Sequence, residues 1–408
     1  MRLGRISAAL AGGSGVLAFV AACAAVAWRS RAPVVPRNGG LLDGRNAWLF
    51  LLLLVAAFVA YLAGLFLLRG SGTRLVLVAA VAVAVQLAPL GAPLLLSTDA
   101  WTYWDYGRVA AVQHANPYAN RPAAFPGDPA LEHMGAAWRE KTSVYGPAFS
   151  LASEPIARAA GNSANAAAWI YKTLAALAVL AAAALAAKLA SRRRALALAF
   201  VGWNPLLAIH FAGGGHNDAW VGALVLAAAA LLAGQRRRYA GGVWALAIAI
   251  KWVPIVFLFL SLLADRRERR RALAAGFLAS GAGIAVVATW RYGWHWLGAA
   301  APLARNAWLE TSYALPHRLQ GLGLPRPVAI GLAVALLVAG LVWLARQALA
   351  GRARNAMAAC VILLTSPYLA VWYLGWVVPL AAADEDDRSA RIVTLGLCAY
   401  LLPQTIPH

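Results

Sequence analysis

Charge is scarce in this chain, and negative charge is scarcest. Only 12% of the 408 residues are Asp, Glu, Lys or Arg, where a soluble protein carries about a quarter. Fifteen Asp and Glu stand against 36 Lys and Arg, for a net charge of +21. Cysteine is nearly absent. Cys23, Cys360 and Cys398 each fall inside an apolar run, so no disulfide framework is implied. There is no His-Glu-x-x-His run and no paired cysteine, so no metal signature stands out. The ten-residue alternation of a closed β-barrel is also missing. What remains is long continuous Ala/Leu/Val, 62% hydrophobic residues and a mean hydropathy of +0.67. The fold class expected is all-α, a polytopic transmembrane helical protein.

Apolar runs place spans near 7–28, 45–68, 74–96, 163–187, 195–212, 217–234, 272–290, 326–345, 356–382 and 391–407. With a broken segment at 240–263, the expectation is about 10–12 spans of roughly 20 residues each. The whole of 1–408 reads as one integral membrane domain with no soluble unit. The first apolar run follows Arg2 and Arg5 and lacks a clear cleavage site, so it reads as a retained span.

A net charge this positive in a soluble protein would suggest nucleic acid. Here the basic residues cluster between spans, which marks the cytoplasmic side and makes the lipid bilayer, with no nucleic acid, the partner. Lys188 with Arg192–Arg194, Arg236–Arg238, the 265–271 run, and Arg346, Arg352 and Arg354 all read as cytoplasmic. The acidic run Asp384–Asp387 is expected opposite them. Two loops, 97–160 and 291–325, then fall outside, with the Gly213–Asp218 turn on the same face. The 29–45 connection, with Arg29, Arg31, Arg37 and Arg45, is an exception to the rule. The segment 240–263 has basic markers at both ends and so cannot cross once. A re-entrant hairpin with Lys251 near its tip resolves that conflict, because each arm of a dozen residues reaches about 18 Å into a core about 30 Å thick.

The richest polar stretch runs from Ser97-Thr98-Asp99 through Tyr103, Trp104, Asp105 and Arg108 to Asn116-Pro117-Tyr118 and Tyr145-Gly146-Pro147. Trp101, Trp104, Arg108 and Val112 recur at helical spacing. A helix over 100–114 is therefore expected to lie along the interface with its rings at headgroup depth. Asp99 can be read as a plain helix cap or as a carboxylate placed to take a proton from a hydroxyl. His216-Asn217-Asp218 follow three glycines, whose freed backbone lets a phosphate or sugar approach, or simply makes a turn between spans. Lys251 inside an apolar segment is costly and marks a ligand site unless it snorkels. His317-Arg318 pair an imidazole with a guanidinium, suited to a phosphate or to a solvated loop. Asp99 with Asp105 or Asp218 could hold one divalent ion, although spacing alone does not show it.

An Asp at the end of an early span, Tyr-Gly-Arg (106–108), Asn-Pro-Tyr (116–118) and Tyr-Gly-Pro (145–147) together resemble a known family. Trp203-Asn204-Pro205, His216-Asn217-Asp218, Lys251 with Pro254, Leu315-Pro316-His317, Ser366-Pro367-Tyr368 and Trp372-Tyr373 continue the pattern over residues 95 to 380. The resemblance is to the polyprenyl-phosphate-mannose-dependent mannosyltransferases of actinobacterial envelopes, within the GT-C superfamily of membrane glycosyltransferases. It implies an inverting transfer from a lipid-phosphate sugar to a glycan or glycolipid hydroxyl, with Asp99 as catalytic base by position. The 119–144 stretch is longer, and Asp99 comes after more spans, than the family pattern suggests.

On this reading Arg108, Lys251, His317 and Arg318 neutralise the departing phosphate. Tyr103, Trp104, Tyr118 and Tyr145 line the sugar, and Asp105, Asn116, His216, Asn217 and Asp218 complete the substrate-binding set. The location expected is the bacterial plasma membrane, with the site on the extracytoplasmic face. No nucleotide-binding domain is present, which favours a lipid-carried donor over a nucleotide sugar. Two other readings stay open: a transporter or flippase for a lipid-linked saccharide, and a ligase using an undecaprenyl-pyrophosphate donor.

Overall fold

The computed structural model describes residues 2–29, 44–69, 72–299 and 309–405. Arg31, Arg37 and residues 300–308 of the second loop lie outside the described residues. The described residues are helical and contain no strand. Helices α1 (Arg2–Arg29) and α2 (Gly44–Leu68) form an antiparallel pair. Gly12 packs so closely on Gly64 that a Cβ would strike its backbone, while Cys23 Sγ lies near the Phe50 carbonyl further along. Small residues at such crossings let backbones approach where lipid gives no hydrophobic drive to pairing. α3 (Leu75–Leu87) is followed by an irregular descent to Ser97, and α4 (Asp99–Ala111) begins at the candidate base.

α5 (Pro147–Ala160) and α6 (Ala164–Leu189) come next, then α7 (Arg194–Gly202) and α8 (Pro205–Gly213), which meet at a 41° bend. The bend has a local cause. Pro205 cannot donate a backbone hydrogen bond, and the Asn204 side chain caps the new helix by accepting from Leu206 N and Leu207 N. α9 (Asp218–Ala233), α10 (Arg237–Ile250), α11 (Pro254–Ala264) and α12 (Arg267–Tyr292) follow. The chain closes with α13 (Leu315–Gly321), α14 (Arg326–Leu349), α15 (Asn355–Thr365), α16 (Leu374–Ala383) and α17 (Arg388–Leu401). At the centre α16 packs on α9, α6 and α7. Its Gly375 meets Gly222 of α9 so tightly that a Cβ on Gly222 would overlap the Gly375 carbonyl.

Five helices among the described residues are long and apolar enough to cross a membrane, or six if α7–α8 count as one bent span. That is fewer than the expected ten to twelve, and the difference has physical causes. The 74–96 run is helical for only 13 residues, about 20 Å at 1.5 Å per residue. The 356–382 run does not cross: it breaks at Ser366–Tyr373 and turns back. Its two ends meet, because Arg354 Nη2 lies 2.7 Å from Asp387 Oδ1. The 391–407 run forms a 14-residue helix and a short 3₁₀ turn.

This hairpin also corrects the expected place of Asp384–Asp387. Glu385 accepts from Ser191 Oγ at 3.0 Å and Arg192 N at 3.0 Å, so the acidic run sits among the basic residues rather than opposite them. The 240–263 hairpin is present as expected. α10 and α11 join at Lys251-Trp252-Val253, and Arg237 Nε is 3.4 Å from Asp265 Oδ2 at their other ends. Three re-entrant or bent units therefore start from the arginine-rich face and present their turns at one depth: Gly213–Asp218, Lys251–Val253 and Ser366–Tyr373. α10 spans 14 residues, so that depth is about 21 Å from the basic face.

The helix at 99–111 departs most from its reading as an interfacial anchor. Every residue from Thr102 to Ala111 is buried, and Trp104 is fully enclosed. It packs on α5, where a Cβ on Gly107 would strike the Ser153 carbonyl carbon and oxygen. The aromatic rings face protein, so headgroup anchoring is not their role.

Candidate active site

The convergent turns enclose a cavity of ≈ 350 Å³. α4 delivers Asp99 and Tyr103, the glycine turn delivers Asn217 and Asp218, the α10–α11 break delivers Lys251, and the α15–α16 break delivers Tyr368 and Tyr373. Each break has a sequence reason: glycines before His216, Pro254 after Lys251, and Pro367 within Ser366–Tyr373. Gly215 holds φ +72°, a left-handed conformation that glycine takes without strain. The turn it makes tucks His216 beneath Asp99.

Two charged pairs meet in the cavity. Lys251 Nζ donates to both oxygens of Asp218, at 2.7 and 2.8 Å, and stands 4.8 Å over the Tyr373 ring. Asp218 is buried and also accepts from Trp376 Nε1 at 3.0 Å. Across from them, His216 Nδ1 lies 3.2 Å from Asp99 Oδ2, with no hydrogen bond closed between the two. His216 is fully buried and stacks on Trp372 at 4.5 Å and 13°. Tyr103 OH is 3.4 Å from the same Asp99 oxygen.

Asp99 remains partly open to the cavity, with its side chain 20% exposed. Burial pushes its carboxyl upward, but the His216 contact, the charge of Lys251 and Ser97 outweigh it. The net effect holds Asp99 below the ordinary carboxylate range, ionised at neutral pH.

Of the residues singled out in the sequence, Asp99, Tyr103, Tyr145, Asn217, Asp218 and Lys251 line this cavity, and His216 stands directly behind Asp99. The others are not brought to it. Arg108 is buried against Asp128, with Nε 2.7 Å from Oδ1, and also donates to the Gly161 carbonyl. It lies nine residues along α4 from Asp99, about 13 Å and half a rotation away. Trp104 stands beside Arg108. Asp105 is buried off the cavity, where burial and Asp128 push its carboxyl up to about 7 against the pull of Arg108 and Arg139. Asn116 donates to the Tyr292 carbonyl, and Tyr118 OH donates to the Tyr145 carbonyl at 2.9 Å. His317 and Arg318 are exposed on α13, where Arg318 Nε donates to Tyr400 OH at 3.1 Å. Among the described residues no group of three or more His, Cys, Asp and Glu gathers as a metal site.

Residue-by-residue reading gave no role to Trp138, Trp252 and Trp376, which also line the cavity. The signal available for Trp376 was an aromatic one turn after a break in an apolar run.

The family described as alpha-(1→6)-mannopyranosyltransferase, N-terminal domain, matches residues 4–266. The chain belongs to that family. An alpha-(1→6)-mannopyranosyltransferase A of Mycobacterium tuberculosis is 28% identical over 352 residues, covering 76% of this chain and 67% of the relative. One of the same name from Corynebacterium glutamicum is 25% identical over 232 residues, covering 50% of this chain and 46% of the relative. No solved structure matches the chain. As a mannopyranosyltransferase-family member with several membrane-crossing helices, the chain is a multi-pass membrane glycosyltransferase. The family match spans Asp99, the His216–Asp218 turn and Lys251, whereas Tyr368 to Trp376 lie beyond it.

Proposed function

We propose that this protein transfers mannose from a polyprenyl-phosphate carrier to a glycan or glycolipid hydroxyl, with inversion, at the extracytoplasmic face of the bacterial plasma membrane. One observation carries the reading: a single cavity at the turn-bearing end of the helices holds an ionised, part-open carboxylate and a lysine with donor capacity to spare. The Asp99 carboxylate takes the proton of the acceptor hydroxyl as its oxygen attacks the anomeric carbon. The bond from that carbon to the phosphate oxygen breaks with its electron pair, and the phosphate departs carrying the added negative charge. Two N–H groups of Lys251 go to Asp218, which leaves the third for a phosphate oxygen. Tyr103, Tyr145, Tyr368 and Tyr373 supply ring faces and hydroxyls for a sugar.

The donor's carrier fits the remaining walls. Ile250, Val253, Ile362 and Leu363 line the cavity, and Ile255 and Phe259 of α11 are exposed beyond it. A prenyl chain can enter along that apolar side from the bilayer. The relatives are named for an α-(1→6) linkage. With inversion, that product requires a β-linked donor and a primary hydroxyl as acceptor. The arginine-rich face supports this orientation, since basic residues between spans are retained on the cytoplasmic side.

The test is mannose transfer by the protein in proteoliposomes, with polyprenyl-phosphate mannose or a nucleotide-linked mannose as donor and the product anomer read by NMR. Transfer from the lipid donor giving an α-linked product is expected. Transfer from the nucleotide donor alone would overturn the reading.

A further inference from the structure

We infer that His216 is the second half of the base: it receives from Asp99 the proton taken from the acceptor. The inference rests on the transferase reading above and deepens it. Sequence reading placed His216 among substrate-binding residues, but the side chain is 0% exposed and lies behind Asp99. Substrate touches Asp99, and Asp99 touches His216.

Three observations point beyond a structural role. First, Nδ1 stands 3.2 Å from Asp99 Oδ2, within reach of a proton transfer. Second, neither ring nitrogen of His216 has a hydrogen-bond partner, and neither nitrogen of His210, whose ring lies 6.2 Å away, has one. Buried polar atoms are ordinarily paired, and exceptions cluster where chemistry needs them. Third, the imidazole is clamped. Trp372 stacks on one face, and Gly214 packs so closely that a Cβ there would sit 3.2 Å from His216 Cδ2. A neutral ring held in place with its Nδ1 lone pair free can accept from Oδ2 once that oxygen is protonated, without moving.

The step balances without another reactant. The acceptor O–H bond breaks and its proton goes to Asp99 Oδ2, while the acceptor oxygen bonds to the anomeric carbon. The phosphate leaves with the electron pair of the broken carbon–oxygen bond. Oδ2 then passes its proton to the Nδ1 lone pair, and the resulting imidazolium pairs with the restored carboxylate until products leave and water takes the proton. The ionisable groups facing His216 are Asp99 on α4 and His210 on α8, with Asp218 and Lys251 across the cavity.

The test compares wild type, H216N and H216A in the polyprenyl-phosphate-mannose assay, with D99N alongside. Asn can donate a hydrogen bond to Asp99 as an imidazole N–H would, but it cannot take a proton. The relay predicts that H216N lowers kcat by about 10²-fold with donor KM nearly unchanged. It also predicts that the acid limb of the wild-type pH profile moves, and that added imidazole restores H216A but not H216N. If the variants fold with kcat near wild type and an unmoved pH profile, the relay is wrong. Folded H216A that imidazole does not restore has the same meaning. In either case, loss of activity in D99N would leave the transferase reading standing. Should H216N fail to fold, H216Q carries the same comparison.

Discussion

Removing the ammonium of Lys251 separates its pairing with Asp218 from the phosphate contact proposed for it. Lys251 is the sole cation bonded to Asp218 among the described residues, and Asp218 has a side chain only 1% exposed. Lys251→Met strands a buried carboxylate. Breaking a buried pair from one side costs about 3–5 kcal/mol, because the remaining charge stays desolvated. Asp218→Asn in the same molecule removes that charge and keeps an acceptor for Trp376 Nε1. The double variant should therefore regain most of the stability, since replacing both members of a buried pair is often close to neutral. Activity should not return. Loss of one preorganised group facing developing charge costs about 10²–10³ in turnover, and the double variant still lacks the ammonium. The assay is a thermal unfolding midpoint in detergent beside mannose transfer on the same samples. Lys251→Met as stable as wild type would refute the buried-pair argument. A double variant with restored transfer would refute the phosphate role.

Three further outcomes follow from named contacts. Asp387, with burial opposing and Arg354, Ser389 and Ala390 N prevailing, is held at about 2. Its folded value is depressed, so its stabilisation is complete above the unfolded carboxylate value of about 3.9 and is lost as pH falls through the folded one. Asp387→Asn should make the unfolding midpoint less sensitive to acid over that window, and an unchanged pH slope would contradict the pairing. Arg108→Met should cost about 3–5 kcal/mol by stranding Asp128, yet leave kcat per folded molecule near wild type. A selective rise in donor KM without loss of stability would return Arg108 to the phosphate. A Cβ at Gly146 would overlap the Ala249 carbonyl of α10. Gly146→Ala should therefore cost at least 1–3 kcal/mol, roughly the cost of overpacking, and displace Tyr145, measured as loss of thermal stability with raised sugar-donor KM.

Much of this arrangement was legible in the sequence. The basic clusters on both sides of 240–263 required a hairpin, and the hairpin is there with Lys251 at its break. Asp99, the His216–Asp218 turn and Lys251 carried composition signals because each put polar cost beside an apolar run. The 355–383 hairpin was less legible. Its apolar run is long enough to span, and only Pro367 marks the turn, while the Arg354–Asp387 pair that closes it is long-range. Arg108 misled for a related reason. A guanidinium near the candidate base suggests phosphate, but its buried partner Asp128 lies 20 residues on, in a loop with no periodic pattern to place it. Periodicity along α4 revealed a helix and could not say whether lipid or protein covers its aromatic face.

The proposed function stands on Asp99 as the base of a lipid-donor mannosyl transfer. The most direct measurement is transfer from polyprenyl-phosphate mannose by wild type and Asp99→Asn, purified side by side and matched for folded protein. The amide keeps the size of the side chain but cannot take the acceptor's proton. Turnover should fall by about 10²–10⁴-fold while lipid-donor binding persists. Asp99→Asn turning over at the wild-type rate would contradict the account.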